Sequence, residues 1–293
     1  SRRMMTIVLL GASGQLGREW KQTLQQSHQS DTVFCYNSDQ LDITHYQEVS
    51  DELRDKNPDW VINCAAYTNV DEAEDHRKLA RKVNHEAVLY LAELSNELDF
   101  TLIHYSTDYV FPGRKENRRE FPEGYPEDYP ADPVNWYGKT KWQGEQAIRQ
   151  TTKNHLIIRL SWLCGQFGSN FVKTMLALGR ERDQLQVVND QWGSPTFVEN
   201  VVSNSLHLLD SDQRGTFHIT SNGLITWYVF AQSIFTFTDI NVDLEPVSSE
   251  AFPTKAKRPH FSKLSTQKIE SIPGSSIIDW KEGTKQLLKQ IED

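Results

Sequence analysis

Five short apolar runs, separated by amphipathic stretches, constrain the fold of this chain more than any other feature. Each run predicts a strand, and the first, Thr6–Leu10, is too apolar for a strand with one solvated face, so we predict that it is buried. The amphipathic stretches at 15–26, 44–56, 77–98 and 136–150 predict helices. This alternation predicts right-handed crossovers and an α/β fold built on a doubly wound parallel sheet. The predicted strands are Thr6–Leu10, Thr32–Tyr36, Trp60–Cys64, Thr101–Tyr105 and Leu156–Leu160.

A glycine-rich turn joins the first predicted strand to the first predicted helix. Its sequence, Gly11-Ala-Ser-Gly-Gln-Leu-Gly17, has the spacing G-x-x-G-x-x-G. Gly11 permits the tight turn, Gly14 lets backbone N–H groups approach a pyrophosphate, and Gly17 lets the helix pack closely on the strand. The helix N-terminus adds partial positive charge. An ordinary strand–helix turn is the alternative, but the flanking elements favour a Rossmann-like NAD(P)-binding turn. Its predicted cofactor contacts are Gly11, Ser13, Gly14, Gln15, Leu16 and Gly17.

The end of the second strand bears on which nicotinamide cofactor binds. An acidic residue there would hydrogen-bond the ribose of NAD, but the strand runs into Asn37. Asp42 comes too late and is placed beside the adenine. A 2′-phosphate would therefore meet no carboxylate, which favours NADPH over NADH. The preference is only slight, because no obvious arginine is available to hold that phosphate. The predicted cofactor contacts after the second and third strands are Asn37, Asp42, Ile43, Ala65, Ala66 and Tyr67.

The strand–helix rhythm becomes irregular after about residue 168, where prolines interrupt it. A length of 293 residues fits two domains or one large α/β unit. We therefore predict a Rossmann-like NAD(P)-binding domain over residues 1–168, with later segments returning to it. Residues 169–293 are predicted to form mainly a smaller α/β substrate-binding domain.

Charge and cysteine content exclude some functions and compartments. The formal net charge of −9 argues against a general nucleic-acid binder, although a small anion can still bind locally. Cys35, Cys64 and Cys164 lie in or beside apolar runs, which is typical of thiols in a reducing compartment. No run approaches the ~18 apolar residues of a membrane span, and no signal-peptide pattern is evident. We therefore expect a cytoplasmic protein that binds no membrane.

A tyrosine and a lysine form a second motif, Tyr137-Gly-Lys-Thr-Lys141, on a predicted helix. The i, i+4 spacing places both side chains on one face. A nearby ammonium lowers the pKa of a phenol, and such a tyrosine can donate a proton to a carbonyl oxygen as hydride arrives at carbon. Thr107, just after the fourth strand, lies where parallel sheets bind ligands and can hydrogen-bond the same oxygen. A solvated helix face and a simple strand-end hydroxyl are the alternatives.

Seven segments together resemble the extended short-chain dehydrogenase/reductases. Within that family the chain is similar to the reductases that convert dTDP-4-dehydro-L-rhamnose to dTDP-L-rhamnose in dTDP-rhamnose biosynthesis, and the resemblance covers nearly the whole chain. The segment His104–Gly113 is more specific than the glycine turn or the Tyr/Lys motif alone. The matching segments are Gly11–Gly17, Asn63–Asp71, His104–Gly113, Asn135–Lys141, Arg159–Trp162, Asn189–Thr196 and Arg258–Pro259.

The resemblance implies a role for each candidate residue. Thr107, Tyr137 and Lys141 would be catalytic: NAD(P)H would give hydride to C4 of the keto sugar and Tyr137 would protonate the oxygen. Lys141 would hold the nicotinamide ribose and tune Tyr137, while Thr107 would orient the carbonyl. Arg258 would bind the nucleotide diphosphate, since a guanidinium fork suits phosphate; a solvated basic loop is the alternative. The residues implied to bind substrate are Thr107, Asp108, Tyr109, Phe111, Trp162 and Arg258.

Some members of this group dimerise through a magnesium ion held by glutamates. Glu19 and Glu199 match two of those positions; the third carries Gln290, a poorer ligand for a hard cation, with Glu292 nearby. A homodimer linked by Mg²⁺ is therefore one hypothesis. The other is that both glutamates are ordinary carboxylates on helix surfaces.

Three other functions compete with the reductase. A sugar-nucleotide dehydratase typically carries Asp-Glu after the threonine, whereas Thr107 is followed by Asp108-Tyr109. An epimerase also uses tyrosine and lysine, but consumes no cofactor. An NADP-binding regulatory subunit without turnover, like that of methionine adenosyltransferase, could retain the same three residues.

Overall fold

The computed structural model describes residues 3–292 of the chain, without the side chain of Glu292. In this range no helix is both long enough and apolar enough to cross a membrane. The strands are β1 Thr6–Leu10, β2 Thr32–Tyr36, β3 Trp60–Asn63, β4 Thr101–Thr107, β5 His155–Leu160, β6 Leu163–Cys164, β7 Gln184–Val188, β8 Trp192–Gly193, β9 Thr196–Phe197, β10 Gly215–His218, β11 Ile225–Thr226 and β12 Asp243–Val247. The α-helices are α1 Gln15–Ser27, α2 Tyr46–Lys56, α3 Glu72–Asp75, α4 Arg77–Arg81, α5 Ala87–Leu98, α6 Asn117–Glu120, α7 Trp136–Thr151, α8 Phe171–Glu181, α9 Val198–Asp210, α10 Trp227–Thr238, α11 Gln267–Glu270 and α12 Trp280–Glu292.

Six strands form one sheet in the order β10-β5-β4-β3-β1-β2. Every pairing in this sheet is parallel, so the predicted doubly wound sheet is confirmed. All five predicted strands are present, although β4 continues beyond Tyr105 to Thr107. The chain crosses from one side of the sheet to the other between β1 and β3, and ligands bind outside the carboxyl ends of strands at such a switch point.

The sheet is buried on both faces because alternate residues of each strand point in opposite directions. In β1, Ile7 and Leu9 belong to a core cluster on one face, and Val8 and Leu10 belong to a second cluster on the other. Residues of α1 and α9 cover the first face, and residues of α2, α5 and α7 cover the second. Double coverage explains why the strands read as continuous apolar runs.

Residues after β5 divide between the main sheet and a smaller core. β10 extends the sheet by pairing with β5, with Gly215 opposite Leu156, and α9 packs against α1. A separate apolar cluster lies among α8, α10, α12 and the paired strands β7 and β12. The division of the chain near residue 168 stays a prediction.

The predicted helix 77–98 contains an irregular turn. A π-helical segment, Lys82–Glu86, separates α4 from α5, and such turns often accompany functional sites. It presents Asn84, whose side chain accepts a hydrogen bond from the N–H of Tyr67 at 2.9 Å and donates to the hydroxyl of Thr140 at 3.1 Å. The π turn therefore ties the loop after β3 to α7, two segments that border the site described next.

Candidate active site

A cavity of about 570 Å³ opens at the carboxyl ends of β1, β3 and β4. The β1–α1 turn, one face of α7 and the segment after β5 also contribute to its walls. The predicted site residues that line it are Gly14, Gln15, Leu16, Ala65, Ala66, Thr107, Asp108, Tyr109, Tyr137, Lys141 and Trp162. Other predicted residues lie outside its lining: Gly11, Ser13, Gly17, Asn37, Asp42, Ile43, Tyr67, Phe111 and Arg258.

The three glycines of the first turn differ in how strictly the fold requires a residue without a side chain. Gly11 has φ +70°, and a Cβ there would lie 2.5 Å from the backbone nitrogen of Ala65. A Cβ on Gly17 would lie 2.2 Å from the carbonyl oxygen of Gly11. A Cβ on Gly14 would meet no atom closer than 3.8 Å. The fold thus requires Gly11 and Gly17, whereas the space above Gly14 stays open.

The N-terminus of α1 fits an anionic group. No side chain caps this end of the helix, so its first N–H groups remain available to an anion, which the helix dipole also favours. Gly14, Gln15 and Leu16 all face the cavity. An uncapped helix end beside open space suits the pyrophosphate of a dinucleotide.

Residues after β2 are held by local hydrogen bonds. Oδ1 of Asn37 accepts from the backbone N–H groups of Asp39 and Gln40, both at 3.0 Å. Asp42 accepts from the backbone N–H and the hydroxyl of Thr44 at 2.9 and 2.7 Å. Contacts from Asn37 and Asp42 to a cofactor adenosine stay a prediction.

The three predicted catalytic residues converge at one end of β4. Asn135 caps α7 by accepting from the N–H of Gly138 at 2.9 Å. Gly138 lets the helix approach closely, because a Cβ there would lie 2.2 Å from the carbonyl oxygen of Tyr109. Lys141 is buried and donates to the carbonyl oxygen of Tyr105 at 2.6 Å. The first turns of α7 therefore bring their side chains to Thr107, which β4 carries at its last position.

Burial dominates the electrostatics of Lys141 and Tyr137. Burial lowers the pKa of Lys141 to about 8, although the Glu145 carboxylate opposes this shift. Burial, and then the charge of Asp108, raise the pKa of Tyr137, against a hydrogen bond with Thr107. Desolvation dominates this shift, and the ammonium of Lys141 is bound to the Tyr105 carbonyl. That Lys141 lowers the pKa of this phenol stays a prediction.

Residues beside Thr107 form the floor of the cavity. Asp108 is 6% exposed, and burial raises its pKa to about 7. The ring of Tyr109 stands edge-on to that of Tyr137, with centroids 6.0 Å apart. Phe111 instead points into the core, where it stacks on Tyr125 at 4.7 Å. Asp108 and Tyr109 line the cavity, whereas Phe111 belongs to a buried cluster with Tyr125 and Phe261.

Three aromatic side chains form one wall of the cavity, and the sequence predicted only one of them, Trp162. Trp162 stacks on Trp227 with ring centroids 3.7 Å apart, and Phe171 packs against the same indole at 4.7 Å. All three line the cavity. Trp162 has φ +46°, which is strained for a bulky residue. Trp227 and Phe171 are the first residues of helices that Thr226 and Asn170 cap. These capping residues were the only local sequence signal for the two helix starts, and they do not indicate that the aromatic rings reach the cavity.

Arg258 is paired within the protein. Its guanidinium donates to both carboxylate oxygens of Asp71 at 3.0 Å and to the carbonyl of Ala256 at 3.1 Å. Binding of a diphosphate by Arg258 stays a prediction, and it would require this guanidinium to share or exchange its partner.

Glu19 and Glu199 lie at a second cavity of about 540 Å³. Glu19 accepts from the amide of Gln166 at 3.1 Å, and Glu199 accepts from the amide of Gln290. Within residues 3–292, no group of three or more His, Cys, Asp or Glu side chains could hold a metal ion. The side chain of Glu292 lies outside the described residues. The magnesium-linked dimer stays a prediction.

The three cysteines are free thiols in this structure. Burial raises the pKa of Cys35, Cys64 and Cys164. A raised pKa makes each a poor nucleophile at neutral pH.

Comparisons with known proteins agree with this architecture. Residues 5–292 match the family described as RmlD substrate binding domain. The dTDP-4-dehydrorhamnose reductase of Escherichia coli K12 is 35% identical over 303 residues, covering 98% of both chains. A crystal structure of a dTDP-4-dehydrorhamnose reductase from Clostridium acetobutylicum has a TM-score of 0.93 and 38% identity, covering 99% of this chain and 100% of that one. The Bacillus anthracis enzyme of the same name, crystallised with NADP, has a TM-score of 0.93 and 34% identity, covering 98% of this chain and 100% of that one. The sequence resemblance is thus confirmed, and this chain belongs to the RmlD substrate binding domain family.

Proposed function

We propose that this protein reduces the C4 keto group of dTDP-4-dehydro-L-rhamnose to give dTDP-L-rhamnose, using NADPH or NADH. The observation that carries the proposal is one cavity in which the open, uncapped glycine turn faces Thr107, Tyr137 and Lys141. Relatives named dTDP-4-dehydrorhamnose reductase, similar over the whole chain, support the choice of substrate.

The residues of the cavity have distinct tasks in this reaction. When bound, the reduced nicotinamide supplies a hydride to the sugar carbon. Tyr137 keeps its proton at neutral pH because burial raises its pKa, so it can donate that proton to the carbonyl oxygen. Thr107 lines the same cavity as Tyr137 and orients the same oxygen. Lys141 places a positive charge beside the cofactor ribose.

The sugar nucleotide would fill the side of the cavity away from the glycine turn. Asp108 and Tyr109 would contact the sugar, and the Trp162–Trp227 wall would cover its apolar face. Desolvation by these aromatic side chains strengthens the hydrogen bonds at the reacting carbonyl.

The decisive experiment measures cofactor consumption. Purified protein should oxidise NADPH when dTDP-4-dehydro-L-rhamnose is generated in situ, with dTDP-L-rhamnose as the product. An epimerase would change the sugar without net oxidation of cofactor. Tight NADPH binding without any oxidation would instead identify a regulatory subunit and reject the reductase.

Cofactor choice gives a prediction of its own. Because Asn37 replaces the carboxylate that would repel a 2′-phosphate, we expect kcat/KM with NADPH to equal or exceed that with NADH. Parallel initial-rate measurements with both cofactors check this. Substituting Asn37→Asp should shift the ratio towards NADH, and a wild-type preference for NADH would contradict the argument.

The glycine turn gives a second prediction. Since a Cβ at Gly14 would meet no atom closer than 3.8 Å, Gly14→Ala should fold with wild-type stability. The added methyl group would project towards the proposed pyrophosphate, so we expect the Kd for NADPH to rise roughly tenfold or more. Fluorescence titration and thermal unfolding measure the two quantities separately.

Gly17→Ala is the matched comparison. Its Cβ would lie 2.2 Å from the carbonyl oxygen of Gly11, so this variant should lose about 1–3 kcal/mol of stability through overpacking. If Gly14→Ala is destabilised as much as Gly17→Ala, or binds NADPH normally, the proposed pyrophosphate position is incorrect.

A further inference from the structure

Trp162 combines an unusual backbone conformation with a place in the wall of the cavity. Its φ of +46° lies in the left-handed region, which is unfavourable for a side chain as bulky as that of tryptophan. Contacts on both sides hold the backbone there: the carbonyl oxygen of Trp162 accepts from the N–H of Thr196 at 3.0 Å, and the hydroxyl of Ser161 donates to the carbonyl oxygen of Ser194 at 2.9 Å. Strain that flanking contacts retain in this way is typical of functional positions.

The indole of Trp162 is held by two distant segments of the chain. Its ring stacks on that of Trp227, with centroids 3.7 Å apart and planes inclined by 17°. It also lies against Gly193 of β8, where a Cβ would come within 2.9 Å of the indole carbon Cζ2. Trp227 is the first residue of α10, and its side chain packs against the smaller core together with that of Phe171. The orientation of the Trp162 ring therefore depends on a contact from the smaller core.

Trp162 is the member of this pair that continues from the sheet edge that carries Thr107. It lies two residues beyond Leu160, which pairs with Thr107 between β5 and β4. Leu160 and the intervening Ser161 also line the cavity. Trp227 reaches the same cavity from α10 and stacks on the Trp162 ring. This arrangement makes Trp162 the ring that faces a sugar bound beside Thr107, and Trp227 the ring that supports it.

We propose that Trp227 is a positioning residue that acts through Trp162, by holding the Trp162 indole in the orientation that receives the sugar. The inference rests on the proposed reduction, because it concerns the sugar nucleotide of that reaction. Stacked aromatic rings stabilise each other beyond the area that they bury, and a side chain that is ordered before binding loses less conformational entropy when the ligand arrives. Without Trp227 the Trp162 side chain can occupy other rotamers, and binding of the sugar must then order it. Trp227 transfers neither hydride nor proton, so its loss should weaken sugar binding rather than slow the chemical step.

Trp227→Leu tests the proposal through the affinity for the sugar nucleotide. The KM for dTDP-4-dehydro-L-rhamnose should rise roughly tenfold, and so should the Kd for dTDP-L-rhamnose, measured by calorimetry on protein loaded with NADP⁺. The kcat should change less than about twofold, because the ground state and the transition state lose the same contact. Trp227→Phe keeps an aromatic face and should recover most of the affinity. Tyr228→Leu is the matched control, since Tyr228 is the next residue of α10 and packs in the same core outside the lining of the cavity; its KM should equal that of the wild type.

A double-mutant cycle separates support of Trp162 from direct contact with the sugar. If Trp227 acts through Trp162, adding Trp227→Leu to Trp162→Ala should change the Kd for dTDP-L-rhamnose by less than about twofold. Additive losses would mean that Trp227 contacts the sugar itself, and the positioning role would be overturned. An unchanged Kd in Trp227→Leu alone would overturn it as well.

Circular dichroism tests the stack in the protein without substrate. Two indoles this close couple their electronic transitions, which gives a pair of bands of opposite sign. Trp162→Ala and Trp227→Leu should each remove the same pair of bands, and bands that persist in either variant would contradict the stack. Thermal unfolding shows whether the variants remain folded, and Trp227→Met repeats the test should the leucine variant fail to fold. Wild-type protein that binds no dTDP-L-rhamnose and oxidises no NADPH would reject the proposed reduction itself, whereas normal wild-type turnover with additive losses in the cycle would reject the positioning role alone.

Discussion

Replacing Tyr137 with phenylalanine should lower kcat for the reduction by about 10²–10⁴-fold, the usual contribution of a positioned general acid. Phenylalanine retains the ring and its edge-on contact with Tyr109, so the shape of the cavity is preserved. The change removes only the hydroxyl that we propose donates the proton. The Kd for NADPH should stay near the wild-type value, because Lys141 and the glycine turn are untouched.

Stopped-flow oxidation of NADPH measures the chemical step, and fluorescence titration measures cofactor binding. Tyr46→Phe is a matched control, since it removes the same hydroxyl from α2, where the ring packs on Tyr90 outside the cavity. Its kcat should equal that of the wild type. Substantial activity in Tyr137→Phe would assign the proton donor to another group. A parallel loss of NADPH binding would mean that the hydroxyl serves cofactor affinity instead.

The parts of the site that could be predicted from sequence are those whose motif lies within one short stretch of the chain. The glycine turn, the end of β4 and the Tyr/Lys pair each lie within one short segment, where spacing alone places side chains on a turn or a helix face. The parallel sheet then brings the ends of β1, β3 and β4 to one edge. Local pattern and sheet topology together were enough to place Thr107 beside Tyr137.

The features that sequence reasoning missed depend on contacts between distant segments. Trp227 reaches the cavity only because α10 packs against α8 and its indole stacks on Trp162. Arg258 could be recognised as a cation, but its bidentate pairing with Asp71 depends on how two distant loops meet. The pKa of Tyr137 also follows from burial, which the i, i+4 spacing to Lys141 does not reveal.

Behind the predicted catalytic residues lies a buried ion cluster that contributes to the stability of the fold. Glu145 is fully buried on α7 and accepts hydrogen bonds from Arg159 on β5, with distances of 2.7 to 3.1 Å. It also accepts from Arg149 and from the hydroxyl of Ser106, each at 2.5 Å. Burial alone would raise the pKa of Glu145, but the two guanidinium groups and Ser106 hold it below its ordinary value. The carboxylate is therefore charged at neutral pH and joins α7 to β4 and β5.

Glu145→Gln should destabilise the protein by about 3–5 kcal/mol, because it leaves the buried guanidinium of Arg159 without a counter-ion. Urea unfolding followed by circular dichroism measures the free energy of unfolding. Asp132→Asn is the matched control: it neutralises an ion pair with Arg114 in which the two side chains are 64% and 61% exposed, and such pairs contribute only about 0–1 kcal/mol. Equal losses in the two variants would mean that Arg159 finds water or another partner once Glu145 is neutral. A large loss confined to Glu145→Gln would instead show that this buried carboxylate stabilises the packing of α7 against β4 and β5.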